Sequence, residues 1–239
     1  MINANFENSN GKTIYVSRFV SWAPGLNGPS DWKDWAAGLK QISASAESPA
    51  LDFAESKWLR LGPKEFMLLK RRLSQISRMT IHVLHEIMPI EENVKTIFVS
   101  FRGEITTQFK INRTLIQEGD ISPSAFSQSV FNTAPAAAAI ALNLWQGYSA
   151  VYPGNNSFNS GFLAAVAALL CGDAAETVLV YADEFCPPEY GDLCPRPNAA
   201  LAFAALLSLK APGVPVLPHG EYLSSPENFL KFLYKGGEL

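Results

Sequence analysis

YSAVYPGNNSFNSGFLAAVAALLCGDAAETVLVYADE, residues 148–184, carries the alternation that decides the fold. Tyr148–Tyr152 is short, aromatic and β-branched, which predicts a strand. Pro153-Gly154-Asn155-Asn156 is turn chemistry, and the two asparagines tolerate positive φ. Ser157 to Cys171 is built from alanine, leucine and phenylalanine and predicts a helix, with the Ser157 hydroxyl expected to cap its first turn. Gly172-Asp173 stops that helix. Val178–Tyr181 is a continuous apolar run, suited to a strand covered on both faces.

Working outward, the same alternation extends over most of the chain. Lys12–Ser21 alternates as a first strand, and the loop-rich stretch from Trp22 to Pro63 leaves room for a short helix around Asp31–Leu39. Pro63 to Ile87 reads as one long amphipathic helix, with proline at its first position and Pro89 closing it. Lys95–Ser100 predicts a second strand, Ser122-Pro123-Ser124 opens another helical region, and Asn132–Leu144 is helical in composition. Leu201–Leu209 predicts a further central strand. Pro212, Pro215 and Pro218 then suggest a proline-rich tail ending in a short helix near Pro226–Tyr234. The expectation is one layered α/β domain over 1–239, with its core at about 12–209 and a tail at 210–239.

Composition narrows the function classes. The chain has 239 residues, 48% hydrophobic and only 17% charged, so it can bury a full core and leaves a surface poor in charge. Such a surface suggests that part of it is covered by a partner. A net charge of −3 argues against an electrostatic nucleic-acid footprint. No apolar run reaches the roughly 18 residues of a membrane span. The polar opening MINANFENSN does not read as a secretory signal. Three unevenly spaced cysteines do not suggest a disulfide framework, so the expected compartment is the cytoplasm.

Few side chains look chemical. His82, His85 and Glu86 lie on one helix, where the two histidines could share a face, but no second cluster completes a metal site, and neither metal nor cofactor is expected. Cys186 and Cys194 flank a proline-rich loop without zinc-site spacing, and their role is left open, as is that of His219. Cys171 reads as a small core residue in an apolar helix. Lys70-Arg71-Arg72 with Arg78 offers a basic face for an acidic partner. Asp183 and Glu184, at a strand end, could pair with those arginines or face a partner.

Five segments carry a family resemblance: KEFMLLKRRLSQISRMT (64–80), IFVSFRGEI (97–105), SPSAFSQSVFNTAPAAAAIAL (122–142), NSFNSGFLAA (156–165) and VLVYADE (178–184). In this order they resemble the N-terminal half of a β-ketoacyl synthase. They look more like the short ketoacyl-synthase-like proteins of aryl polyene clusters, which resemble chain length factors. The resemblance implies a thiolase-like α/β fold, N-terminal half only, as a layered sheet with helices on both faces.

It also implies what is missing. Active synthases present a cysteine at the strand-to-helix turn. Counting back from Gly172-Asp173 puts that position at Asn155, and counting forward from Gly147 puts it at Asn156. The histidines that drive decarboxylation lie in a C-terminal half that this chain does not include. The implied role is a non-catalytic subunit that heterodimerises with an active ketosynthase and meets acyl carrier protein through the complex. The implied dimer strand is Tyr148, Ser149, Ala150, Val151 and Tyr152. Phe131, Asn132, Trp145 and Phe158 are the implied tunnel and interface residues. Two alternatives stay open: a free-standing acyl-transfer or hydrolytic enzyme using Ser157, and a purely structural stabiliser of a ketosynthase.

Overall fold

The computed structural model describes residues 13–91, 93–142, 144, 146–154, 157–194, 198–218 and 220–237. Six strands form one sheet: β1 (Ile14–Trp22), β2 (Lys95–Val99), β3 (Tyr148–Val151), β4 (Glu176–Asp183), β5 (Leu201–Ser208) and β6 (Val214–Val216). Their order is β3-β2-β4-β5-β1-β6. β3, β2 and β4 run parallel, with Phe98 beside both Ala150 and Val180; the β4–β5, β5–β1 and β1–β6 pairs are antiparallel. β4 and β5 are central, as their unbroken apolar runs require.

Both faces are covered. Leu179 and Tyr181 of β4 and Phe203 and Ala205 of β5 point into one core with α1 (Pro29–Ala36), α7 (Phe158–Leu170) and α8 (Pro226–Tyr234). Val178, Val180, Ala202 and Ala204 point the other way, into a core shared with α3 (Gln75–Glu86) and α6 (Thr133–Leu142). The period of two along each strand thus feeds two cores. α7 lies so close to β2 that a Cβ at Gly161 would meet the Val99 methyls at 2.7 Å, which explains the glycine in an otherwise strong helix.

Four expectations need correction. The single helix from Pro63 to Ile87 is two: α2 (Pro63–Lys70) and α3. Ser74 turns extended between them and accepts a hydrogen bond from the Ser77 amide at 3.1 Å, while Arg78 donates to the Lys70 carbonyl at 2.7 Å. The apolar period runs through the break, so periodicity alone does not reveal it. The helices α4 (Ile105–Glu118) and α5 (Pro123–Ser127) follow β2. α4 was not anticipated, because Ile111 is its only buried residue and β-branched residues dilute its pattern.

The segment read as a tail is core. β6 pairs with Ile14–Val16, and Phe229 and Leu230 of α8 are completely buried. Cys171 is exposed at the end of α7 rather than packed. Against the expectation of no disulfide framework, Cys186 and Cys194, whose role was open, form a disulfide with Cα atoms 5.9 Å apart, closing a 3₁₀ turn at Pro188–Leu193.

Candidate functional site: an open sheet edge and the polar knot beside it

β3 is the outermost strand, and among the described residues no strand pairs with its far side. Ser149 and Ala150 are exposed there, and Tyr152 is 60% exposed. An uncovered row of backbone donors and acceptors is a template for another strand. Phe131 and Asn132 lie beside it: the Phe131 ring meets Tyr152 edge-on at 6.5 Å, and the Asn132 amide donates to the Tyr148 hydroxyl at 3.1 Å. Gly103 (φ 57°) lets Phe131 pack over the β2–α4 turn, since a Cβ there would lie 2.8 Å from its ring. Ile140 of the adjoining α6 is 52% exposed.

The structure therefore places Phe131 beside Tyr152 and Asn132 beside Tyr148. Phe158 goes elsewhere. It is completely buried, with Tyr181, Phe203 and Phe229 rings at 5.9, 5.8 and 5.5 Å, in the core across the sheet from α3 and α6. Trp145, Asn155, Asn156 and His219 lie outside the described residues. Ser157 stands at the N-cap of α7, yet its side chain makes no capping bond, contrary to expectation; its carbonyl accepts from Ser160 instead.

Sequence reasoning missed the polar knot at the carboxyl ends of β2 and β4. Asp183, 1% exposed, accepts from the Ser100 hydroxyl at 2.6 Å, the Phe101 and Arg102 amides at 3.1 Å each and the Tyr181 hydroxyl at 2.7 Å. Its ion pair is with Arg102, Nε to Oδ2 at 3.4 Å, and not with the arginines around residue 71. Burial, followed by the Asp183 charge, pushes the Tyr181 hydroxyl well above its ordinary range, so it stays a neutral donor. Glu184 Oε1, just past the end of neighbouring β4, accepts from the Thr106 amide at 2.8 Å in the first turn of α4. Burial is the main reason its carboxyl is pushed up to about 7. Burial likewise raises Glu104, which accepts from Ser74, Ser77 and Thr107. The sequence signal was Asp183-Glu184 at the end of an apolar strand, but Ser100 is 83 residues away.

The knot joins strand ends through carboxylates and hydroxyls; the contact between Ser56 and His85, with Glu86 3.2 Å from the other ring nitrogen, lies apart from it at α3. α3 carries His82 and His85 and packs on the face opposite α7, whose start holds Ser157. His85 stacks on Phe53 at 3.7 Å and shares a hydrogen bond with Ser56 at 2.8 Å; burial chiefly lowers the His82 pKa. Of the basic face, Lys70 pairs with Asp52 and Arg78 bonds to backbone carbonyls, leaving Arg71 and Arg72 exposed. Among the described residues there is no cluster able to hold a metal ion, and no helix is long and apolar enough to cross a membrane.

Residues 32–220 match the model of the β-ketoacyl synthase N-terminal domain. A structure described as a ketosynthase (ApeO) in complex with its chain length factor (ApeC), from Xenorhabdus doucetiae, is similar at TM-score 0.65 and 25% identity. The match covers 83% of this chain and 80% of that one, so the two are of nearly equal length. The ishigamide ketosynthase/chain length factor matches at TM-score 0.60 and 15% identity, over 85% of this chain and 64% of that one. A type II polyketide acyl carrier protein in complex with its hexaketide-bound ketosynthase matches at TM-score 0.57 and 13% identity, over 82% and 62%. The last two are likenesses of fold. No curated protein matches the chain.

Proposed function

This chain belongs to the β-ketoacyl synthase N-terminal domain family, with its thiolase-like fold, and we propose that it is a non-catalytic subunit of the chain-length-factor kind. In this reading it heterodimerises with an active ketosynthase through β3 and shapes the tunnel into which the acyl chain grows. The observation that carries it is the open β3 edge with Phe131, Asn132 and Tyr152 beside it. The near-equal length of the matched chain from a ketosynthase–chain length factor complex adds support. The substrate class is an aryl polyene or polyketide-type acyl chain. It reaches the pair on acyl carrier protein, whose acidity suits the exposed Arg71 and Arg72.

The absence of catalysis follows from the same reading. Acyl transfer needs a nucleophile, a proton shuttle and an oxyanion site together, and the turn that would present the thiol carries Asn155 and Asn156. Ser157 lacks a described histidine on its own face of the sheet, so no observation favours the Ser157 enzyme over the partner subunit. The structural stabiliser differs from our reading in one measurable respect, product length. Phe131→Ala in the reconstituted pair should lengthen the product by at least one extension unit. Unchanged length at reduced activity would leave the stabiliser ahead. Steady thioester turnover by the isolated chain, lost in Ser157→Ala, would overturn the non-catalytic reading.

A further inference from the structure

We infer that the Cys186–Cys194 disulfide is a clasp that opens to a dithiol reductant and, in opening, frees α4. The inference needs no partner subunit and stands apart from the proposed pairing.

The two ends of the bond are held differently. Cys186 is 1% exposed, and the Asn198 side chain grips its backbone twice: the Cys186 amide donates to Oδ1 at 2.9 Å, and its carbonyl accepts from Nδ2 at 2.7 Å. Just before it, the Phe185 amide donates to Gln75 Oε1 of α3 at 2.7 Å. Cys194 is only partly buried and follows Gly191, Asp192 and Leu193, all exposed. Its amide donates to the Gly191 carbonyl at 3.2 Å, inside the same turn. Cys186 is therefore the anchored end, and Cys194 is the end a reductant meets.

The turn between them reaches α4. Tyr190 stands edge-on to Phe109 of α4 at 5.4 Å. Although α4 is 14 residues long, Ile111 is its one buried residue. A helix draws most of its stability from packing, so one with so little buried depends on the contacts it does make. Glu184 ties the first turn of α4 at Thr106, and the disulfide-closed turn meets the following one at Phe109. The cysteines are 8 residues apart, and closing so short a loop restrains the unfolded chain less than closing a long one. The bond thus acts on the turn and α4 more than on the whole fold.

Part exposure is what makes a disulfide open to exchange. A thiolate of the reductant attacks Cys194 Sγ; its new S–S bond forms as the Cys186–Cys194 bond breaks, and Cys186 leaves as a thiolate. The reductant's second thiolate then attacks the reductant's own sulfur in the mixed disulfide, and Cys194 leaves. The two cysteines take up the two protons of the reductant's thiols, two electrons pass to the protein, and the reductant ends as a disulfide. Cys171 has no part in this. It lies two residues before Asp173, which pairs with Lys95 at the start of β2, whereas Cys186 follows the far end of β4. The 8 residues of β4 set these ends about 25 Å apart.

Thiol counting and hydrogen–deuterium exchange on the full chain, before and after dithiothreitol in native buffer, test the inference. Thiols are counted by alkylation in denaturant once the reductant has been removed. One cysteine should be alkylated before reduction and all three after it. Reduction should speed exchange of the amides of residues 109–118 about tenfold and leave those of β4 and β5 unchanged. Tyr190→Ala should speed the same amides in the oxidised chain, and Cys171→Ala should leave the response intact. Cys186→Ser combined with Cys194→Ser should exchange fast with or without dithiothreitol; if that variant fails to fold, the parent chain in its two states decides. Three cysteines alkylated without reductant, or a bond that opens only in denaturant, would overturn the inference. So would equal α4 exchange in the two states, or an oxidised Tyr190→Ala chain as protected as the parent.

Discussion

At one edge of the sheet β6 contributes three residues with exposed Pro215 in the middle, and Gly237, just past α8, lies against Val214; at the other, β3 contributes four residues with an open far side and aromatic rings around it. Short length, a proline and a covering element are the usual means of keeping a strand edge from recruiting another chain. The β6 edge uses the first two. The β3 edge uses only shortness, and it adds Tyr152 and Ile140, each more than half exposed. That difference between the edges is why the proposed pairing is placed at β3 and not at β6.

Opening the aromatic core beneath α8 should have the largest effect. Phe229→Ala takes a completely buried ring out of α8, where it touches Phe158, Phe162 and Phe203. A loss of about 3–5 kcal/mol in chemical denaturation is expected, and Phe158→Ala, in the same cluster, should behave alike. A loss near zero would mean that α8 is not part of the core.

The knot between the edges responds to pH. The Glu184 carboxyl binds its proton more tightly folded, at about 7, than unfolded, near its usual 4.5. Its contribution is therefore fully present below pH 4.5 and lost as pH rises through 7. Glu184→Gln keeps the shape and the acceptor for Thr106, so it should flatten the decline in stability across that window. The mutant's gain at pH 8 should be on the order of 3 kcal/mol at most. A mutant whose stability falls with pH as steeply as the parent's would remove Glu184 as the cause. The smallest effect is expected at the turn: Ser157→Ala, which removes no capping bond, should change stability by less than about 0.5 kcal/mol.

Much of this was legible before folding. The apolar runs of β4 and β5 announced central strands, and the turn at 153–156 separated β3 from α7. The resemblance brought Phe131, Asn132 and Tyr148–Tyr152 together. What stayed hidden depends on distance along the chain or on context. Ser100 and Asp183 become partners only when parallel β2 and β4 align. Ser74 interrupts a helix without disturbing its apolar period. Phe158 looks like an interface aromatic until α8, from a stretch dense in prolines, covers it. The disulfide joins two cysteines whose spacing has no framework signature.

Co-expression with a ketosynthase from the same source, followed by purification through a tag on the ketosynthase alone, tests the central claim most directly. The parent chain should come through as a 1:1 complex. Ala150→Asp should fold as well as the parent, because Ala150 is exposed in the free chain, yet be absent from the complex, because pairing would bury an unpartnered charge at a cost of several kcal/mol. A folded Ala150→Asp chain recovered in full 1:1 yield would contradict pairing through β3.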